Sequence, residues 1–392
     1  MNENETMLQR AYELQDRLVK IRRSIHRHPE LGFREEHTAA VVADTLRSLG
    51  LAPRTGIART GVVASLGSEQ GPVVGLRADM DALPVQERTG LPFASEVPGV
   101  MHACGHDAHT TMLLGAAMLL VQEKALSGEI RLIFQPSEET TDEEGKSGGQ
   151  RMWEAGITQG LKALLALHVT PYLPAGHVSI GRGPVFAGDD TFQITISGPG
   201  GHAASPHATT DTVLLTAQLI TSLYHITSRR LDPMDSAVIT VGAVHGGSAP
   251  NVIPADVQLL GTIRYFESEV RQRIHDEMER ALEQVRLWGG TYSLDLQPGG
   301  APTYNDPTVA EVVATVAASL LGEDCVHEEE ASLGSEDFGT LAGDVPAAMA
   351  MIGAGGEGYK DFHSAGFMVD EAALPIGAAL LAEAALRFLR ES

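Results

Sequence analysis

Apolar residues recur at helical spacing over residues 7 to 24 and again over 36 to 49 before Gly50, so the chain is predicted to open with two helices. Downstream the pattern changes to short apolar runs closed by acids or histidine. These are Pro72 to Leu76 ahead of Asp79 and Asp81, Ile130 to Phe134 ahead of Glu138 and Glu139, and Ala163 to Leu167 ahead of His168. Each run reads as a buried strand. A helical stretch such as Ala108 to Glu123 alternates with them, which predicts an α/β sheet whose ligands gather outside the carboxyl ends of the strands. Neighbouring strands lie about 5 Å apart, so groups distant in sequence are expected to converge on one edge.

From about Phe186 the order becomes strand (Phe192 to Ser197), helix (Asp211 to Thr227), strands (Ala237 to Val244 and Val257 to Tyr265), helix (Glu267 to Leu287) and strand (Tyr292 to Leu296). This βαββαβ series is the ferredoxin-like arrangement, about 110 residues that can form a small domain of their own. After the Pro298-Gly299-Gly300 break, a helix from Thr308 to Leu321 and an apolar run from Pro346 to Ile352 read as a return to the first domain. Residues 1–185 and 299–392 are therefore expected to form one domain, with 186–298 inserted in it.

Composition narrows the function classes. The 392 residues are 43% hydrophobic, enough for a large core without a disulfide or metal staple. A formal net charge of -23, from 28 basic against 51 acidic residues, argues against nucleic acid, whose binding relies on Lys and Arg at phosphates. The acidic start Met1-Asn2-Glu3-Asn4-Glu5 has no apolar stretch after it, and no run of 18 apolar residues occurs, so no membrane partner and a cytoplasmic location are expected. Of the two cysteines, Cys325 stands alone and Cys104 lies in a histidine cluster, which favours a reducing compartment.

That cluster is His102-Ala103-Cys104-Gly105-His106-Asp107-Ala108-His109. Thiolate and neutral imidazole suit zinc, manganese, cobalt or nickel, and Cys-x-His spacing lets one loop reach a metal from two sides. Glu138 and Glu139 follow a strand and the Gln135-Pro136-Ser137 turn. Being adjacent, they divide the labour: one can ligate while the other takes a proton from metal-activated water. The acids after them, Asp142, Glu143 and Glu144, read as surface, and His26 and His28, beside Arg22, Arg23 and Pro29, read as structural. His363 is fed by another strand, and Cys104, His106, Glu139, His168 and His363 form a ligand set too large for one tetrahedral zinc and suited to two ions. In the insertion, His202 sits on the glycine-rich Gly198-Pro199-Gly200-Gly201 turn, Asn251 between two prolines, and Arg264 at a strand end, where a guanidinium can fork onto a carboxylate.

The stretches Leu76 to Pro84, Met101 to His109, Phe134 to Glu139, Gly201 to Ala204, Asn251 to Pro254 and Phe362 to Ser364 occur in order across nearly the whole chain. Together they resemble the dinuclear metallopeptidase family of aminoacylases, carboxypeptidases and amidohydrolases. The Cys-Gly-His-Asp-Ala-His form resembles its amidohydrolase branch, which includes hippurate hydrolases, auxin-conjugate hydrolases and N-acetyl-diaminopimelate deacetylases. Other branches carry His-x-Asp where this chain has Asp79-Met80-Asp81, so Cys104 and His106 stand in for that ligand.

The resemblance implies an α/β mixed-sheet metallohydrolase domain with an inserted ferredoxin-like dimerisation or lid domain. It implies two divalent ions (Mn, Zn, Co or Ni) on Cys104, His106, Glu139, His168 and His363, with Glu138 as the base. Asp81 would orient a ligand imidazole, with Asp79 able to share that role. His202 would reach into the partner subunit's site and stabilise the oxyanion, and Asn251 and Arg264 would grip the substrate. The implied activity is hydrolysis of N-acyl amino acids by a homodimer or homotetramer. The alternatives are a metallocarboxypeptidase acting on short peptides and a hydrolase with Cys104 as nucleophile and His106 as base.

Overall fold

The computed structural model describes residues 6–68, 70–356 and 358–391. The chain divides into two compact units. The first holds the chain up to Val185, Tyr304–Glu330 and the chain from Asp337 on; the second holds Phe186–Thr303 and Ala331–Glu336.

The first unit is built on an eight-stranded sheet. Its centre consists of four neighbouring strands, Glu129–Gln135, Val73–Asp79, Leu161–Pro174 and Ala347–Gly355, each parallel to the next. Antiparallel pairs on both sides, Gly61–Gly67 on Glu129–Gln135 and Val178–Ser179 on Ala347–Gly355, make the sheet mixed. The parallel strands are nearly continuous apolar runs because both faces are covered. The helix His106–Leu120 is buried along its entire length and packs against Gln15–Arg27 and Ala373–Glu391. With no face left to water, it shows little of the amphipathic stripe that marks a surface helix.

Two elements differ from the sequence expectation. The opening helix is broken into Met7–Glu13 and Gln15–Arg27 around Leu14, and Thr6 and Gln9 form a capping box at the first. The strand expected to stop before His168 runs on to Pro174. Arg77 pairs with Ala166, and Met351 with His168, so His168 lies level with Asp79, where Val73–Asp79 ends. Beyond it the strand continues beside Ile352 to Gly355.

The second unit is the ferredoxin-like βαββαβ element. Its strands lie in the order Ala237–Gly246, Asp256–Tyr265, Gly188–Ser197, Thr291–Pro298, every neighbour antiparallel. Phe192, Ile194 and Ile196 alternate with the more exposed Thr191, Gln193 and Thr195, which gives the sheet one apolar face. The helices Thr212–His225 and Ser268–Leu287 cover that face through Leu219, Leu223, Ile274, Met278 and Leu282. Ala331–Glu336 joins this unit by bridging Ser332 to Phe186. Among the described residues no helix is long and apolar enough to cross a membrane.

Candidate metal centre

Three loops and one strand of the first unit bring the cluster residues together. Gly105 caps the helix His106–Leu120 at φ 94°, and a side chain there would put its first carbon 2.3 Å from Val169 Cγ2. Glycine is thus required for the sharp turn that sets Cys104 and His106 on either side of it. Cys104 Sγ lies 3.5 Å from His168 Nε2. His168 Nδ1 is 2.7 Å from the Val169 carbonyl, to which it donates, so Nε2 carries the free lone pair. Burial, then the neighbouring His109, pushes His168 well below the usual histidine range and keeps it neutral, as a ligand must be.

His106 Nδ1 donates to Asp81 Oδ1 at 3.2 Å, and its Nε2 is buried without a hydrogen-bond partner. Asp81 Oδ2 accepts the Glu139 N–H at 3.0 Å, so one carboxylate orients both the imidazole and the glutamate. Glu139 Oε1 is also buried without an aligned donor; it lies 3.9 Å from His106 Nε2 and 3.2 Å from His363 Nε2. Each such orphan costs about 1–3 kcal/mol, more for a charge. A divalent cation that displaces the proton of His106 Nε2 would meet both atoms, and the S, N and O donors suit a transition metal. Potential ligand atoms within 4.8 Å of one another form the sets Cys104/His106/His168, Cys104/Glu139/His363 and His106/Glu138/Glu139. Because Cys104, His106 and Glu139 each belong to two sets, the donors fit adjoining ions better than a single one.

The other histidines of the cluster are accounted for differently. His109 Nε2 accepts the Val169 N–H at 2.9 Å and its Nδ1 donates to Asp79 at 2.7 Å, leaving no lone pair to give. His102 is buried with neither ring nitrogen bonded, and burial pushes it down to about 4, so it stays neutral. Asp79 is held by Arg77 at 2.8 Å as well as by His109, and does not share the role of Asp81 on His106 through a hydrogen bond. Burial would raise its pKa, but His106, His109 and Arg77 around it hold it well below the usual carboxylate range.

His363 adopts φ 58°, its N–H donates to the Ala103 carbonyl at 2.8 Å, and its ring is half exposed. The nearby Cys104, then the Glu139 carboxylate, 3.2 Å away but not aligned for a hydrogen bond, push it up to about 10. Cys104 is pushed up by burial, and His106 is held well above the usual range: burial opposes its charge, but Asp79 and Cys104 outweigh that.

Three further acids hold roles that the sequence did not show. Asp107 accepts Arg22 at 3.0 Å and His26 at 2.8 Å, which ties the helix start to the helix Gln15–Arg27 and explains the structural reading of His26. Asp337 takes Arg77 and Gln135, bracing the strand ends. Asp142 is no surface acid: its side chain is fully buried, 2.6 Å from Arg151, and accepts the Glu144 and Lys146 N–H groups. Glu143 and Glu144 are exposed as expected.

The remaining predicted residues belong to the second unit. Gly201–His202 pairs with Val252–Ile253, and the Ala203 N–H meets the Asn251 carbonyl at 3.1 Å, so His202 and Asn251 adjoin. They lie beyond the Ser197/Asp256 end of the sheet, whereas Arg264 pairs with Asp189 at the other end, with its Nη1 buried and unbonded. Eight residue steps along the strand separate Asp256 from Arg264, roughly 26 Å. Within one copy, then, Arg264 and Asn251 are not brought together.

Residues 75–387 match the family described as peptidase family M20/M25/M40. The chain belongs to this family. As an M20 member it is a metal-dependent amidohydrolase with the family's α/β architecture. It is 40% identical over 385 residues to thermostable carboxypeptidase 1 of Saccharolobus solfataricus, covering 96% of each chain. It is also 40% identical over 385 residues to the IAA-amino acid hydrolase ILR1-like 4 of Arabidopsis thaliana, covering 96% of this chain and 86% of that one. Among solved structures, a dinuclear metal-binding M20 peptidase of Bacillus subtilis superposes with a TM-score of 0.86 at 34% identity, over 97% of this chain and 99% of that one.

Proposed function

We propose that this M20 enzyme hydrolyses the amide bond of N-acyl amino acids, with two divalent ions on Cys104, His106, Glu139, His168 and His363 and Glu138 as the base. The observation that carries the reading is the pair of orphaned buried atoms, His106 Nε2 and Glu139 Oε1, with the Glu138 carboxylate within 4.8 Å of the ligand atoms of both residues. When bound, such ions polarise the amide carbonyl and make water acidic near neutral pH. Glu138 takes the proton of the attacking water and returns it to the leaving amine. Asp81 holds the His106 tautomer and the Glu139 backbone in place. His202 donates to the developing oxyanion, and the bidentate guanidinium of Arg264 holds the free α-carboxylate.

The test is a screen of N-acetyl, N-benzoyl and indoleacetyl amino acids with metal analysis of the purified protein. Arg264→Ala is expected to lower kcat/KM for N-acetyl-leucine about a hundredfold while affecting its C-terminal amide little. An unchanged acid-to-amide ratio places carboxylate recognition elsewhere. The carboxypeptidase relative favours a second reading, cleavage of short peptides, which offer the same carboxylate and amide. Faster turnover of dipeptides than of N-acetyl amino acids selects it. The Cys104 nucleophile has little support, because burial keeps the thiol protonated and nucleophilic attack needs a thiolate.

The separation of Arg264 from His202 and Asn251 supports a homodimer in which each substrate meets Arg264 of one copy and His202 and Asn251 of the other. The second unit offers a surface for this: Val213, Leu214 and Tyr224 on the helix Thr212–His225, and the edge strand Ala237–Gly246 with Val238 and Val244, are exposed. Mixing the inactive variants His202→Ala and Arg264→Ala is then expected to restore about a quarter of wild-type activity, because half of the dimers hold one intact site. No recovery after subunit exchange rules the shared site out.

A further inference from the structure

Glu35 precedes the helix Glu36–Ser48, is fully buried, and belongs to none of the potential ligand sets. Its Oε1 accepts the Phe33 N–H at 3.0 Å and the Ser137 N–H at 2.7 Å, and its Oε2 accepts the Thr60 hydroxyl. Ser137 stands immediately before Glu138 and has φ 45°, a left-handed conformation that costs a non-glycine residue about 1–3 kcal/mol and persists only when its surroundings over-determine it. The surroundings do so. Ser137 Oγ donates to the Thr140 carbonyl at 2.8 Å, the Gly148 N–H donates to the Ser137 carbonyl at 2.8 Å, and a side chain at Gly32 would put its first carbon 2.3 Å from Ser137 Oγ.

The segment is thus pinned at alternate residues by two carboxylates, Glu35 on Ser137 and Asp81 on Glu139. Burial, and then the charge of Asp81, pushes Glu35 up to about 7, a burden that an uncharged residue at this place would not carry.

We infer that Glu35 is a positioning residue for catalysis: by holding the Ser137 N–H in the left-handed turn it aims the Glu138 carboxylate. The inference rests on the reading of Glu138 as the base, and a double-mutant cycle separates the two. Glu35→Ala is expected to lower kcat about ten- to a hundredfold, with KM and metal content within about twofold of wild type, because misplacement of a catalytic group is costly while the ligands stay fixed. Glu35→Gln keeps an acceptor oxygen and recovers most of that loss. In a Glu138→Ala background, Glu35→Ala has no further effect beyond about twofold.

Equal fold losses in both backgrounds, a wild-type kcat in Glu35→Ala, or no recovery in Glu35→Gln overturns the inference while leaving the base assignment standing. Wild-type turnover in Glu138→Ala overturns the base assignment and this inference with it. Should Glu35→Ala not fold, Thr60→Val, which removes the hydroxyl on Oε2, is expected to lower kcat severalfold in the wild-type background alone. An unchanged kcat in that variant overturns the inference equally.

Discussion

Glu138→Ala is expected to retain its metal and lose at least about a hundredfold in turnover, since a positioned general base contributes roughly 10²- to 10⁴-fold. The expectation follows from the division between adjacent glutamates. Glu139 is anchored through its own N–H to Asp81 and has Oε1 among the atoms of His106 and His363, which suits a ligand. Glu138 shares a donor set with His106 and Glu139 but with neither Cys104 nor His168, so removing it leaves most donors intact. Glu138→Gln, which preserves shape, should be as impaired as the alanine variant because it cannot take a proton. Metal analysis beside single-turnover kinetics decides: near-normal turnover removes Glu138 from the mechanism, and parallel loss of metal makes it a ligand instead.

The second large effect is on metal loading. His106→Ala is expected to weaken metal binding by more than about a hundredfold and abolish activity, because it deletes a buried donor and leaves Asp81 Oδ1 without its imidazole partner. In the wild type, chelation should remove activity, and Mn, Co, Zn or Ni should restore it. Loading should also depend on pH with a definite sign. In the metal-free protein His363 is pushed up to about 10, His106 is held well above the usual range and Cys104 remains a thiol, so all three carry protons at neutral pH. Ligands bind deprotonated, so metal uptake near pH 7 should release about two or more protons, and apparent affinity should rise with pH until those groups have titrated. Calorimetric titration in buffers of different ionisation enthalpy counts the protons. A count near zero sinks the ligand assignment of His106 and His363.

Much of the fold was legible because periodicity reports which faces are buried. The alternation of Phe192, Ile194 and Ile196, and the apolar runs ahead of Asp79, Glu138 and His168, gave the strands, and strand order in a βαββαβ unit follows from chain chirality. The break at Leu14 escaped because helical spacing continues across it, and the strand end at Pro174 escaped because a histidine inside a parallel strand looks like a terminus. Within the site, residue types were readable but hydrogen-bond partners were not. Whether His109 keeps a lone pair depends on the Val169 N–H, and whether Asp79 or Asp81 serves His106 depends on where Arg77 points. Asp142 and Glu35 were opaque for the same reason: an acid in a polar stretch reads as solvated until the backbone N–H groups it serves are seen. The separation of Arg264 from Asn251 was latent in the topology, since the two stand near opposite ends of one strand.

The mid-strand place of His168 sets a limit on how this chain can change length. Its ladder to Val73–Asp79 on one side and Ala347–Gly355 on the other locks the histidine in register, and side chains alternate faces along a strand. A single-residue insertion or deletion between Leu161 and Leu167 would turn the imidazole to the opposite face of the sheet, so that interval is closed to length variation. From Lys360 on, the bridge to Phe367 and the contacts of Asp361, Phe362 and His363 hold the chain, but the described residues between Gly355 and Lys360 pair in no strand ladder. Relatives that differ in chain length should place their gaps there and keep the interval ahead of His168 constant.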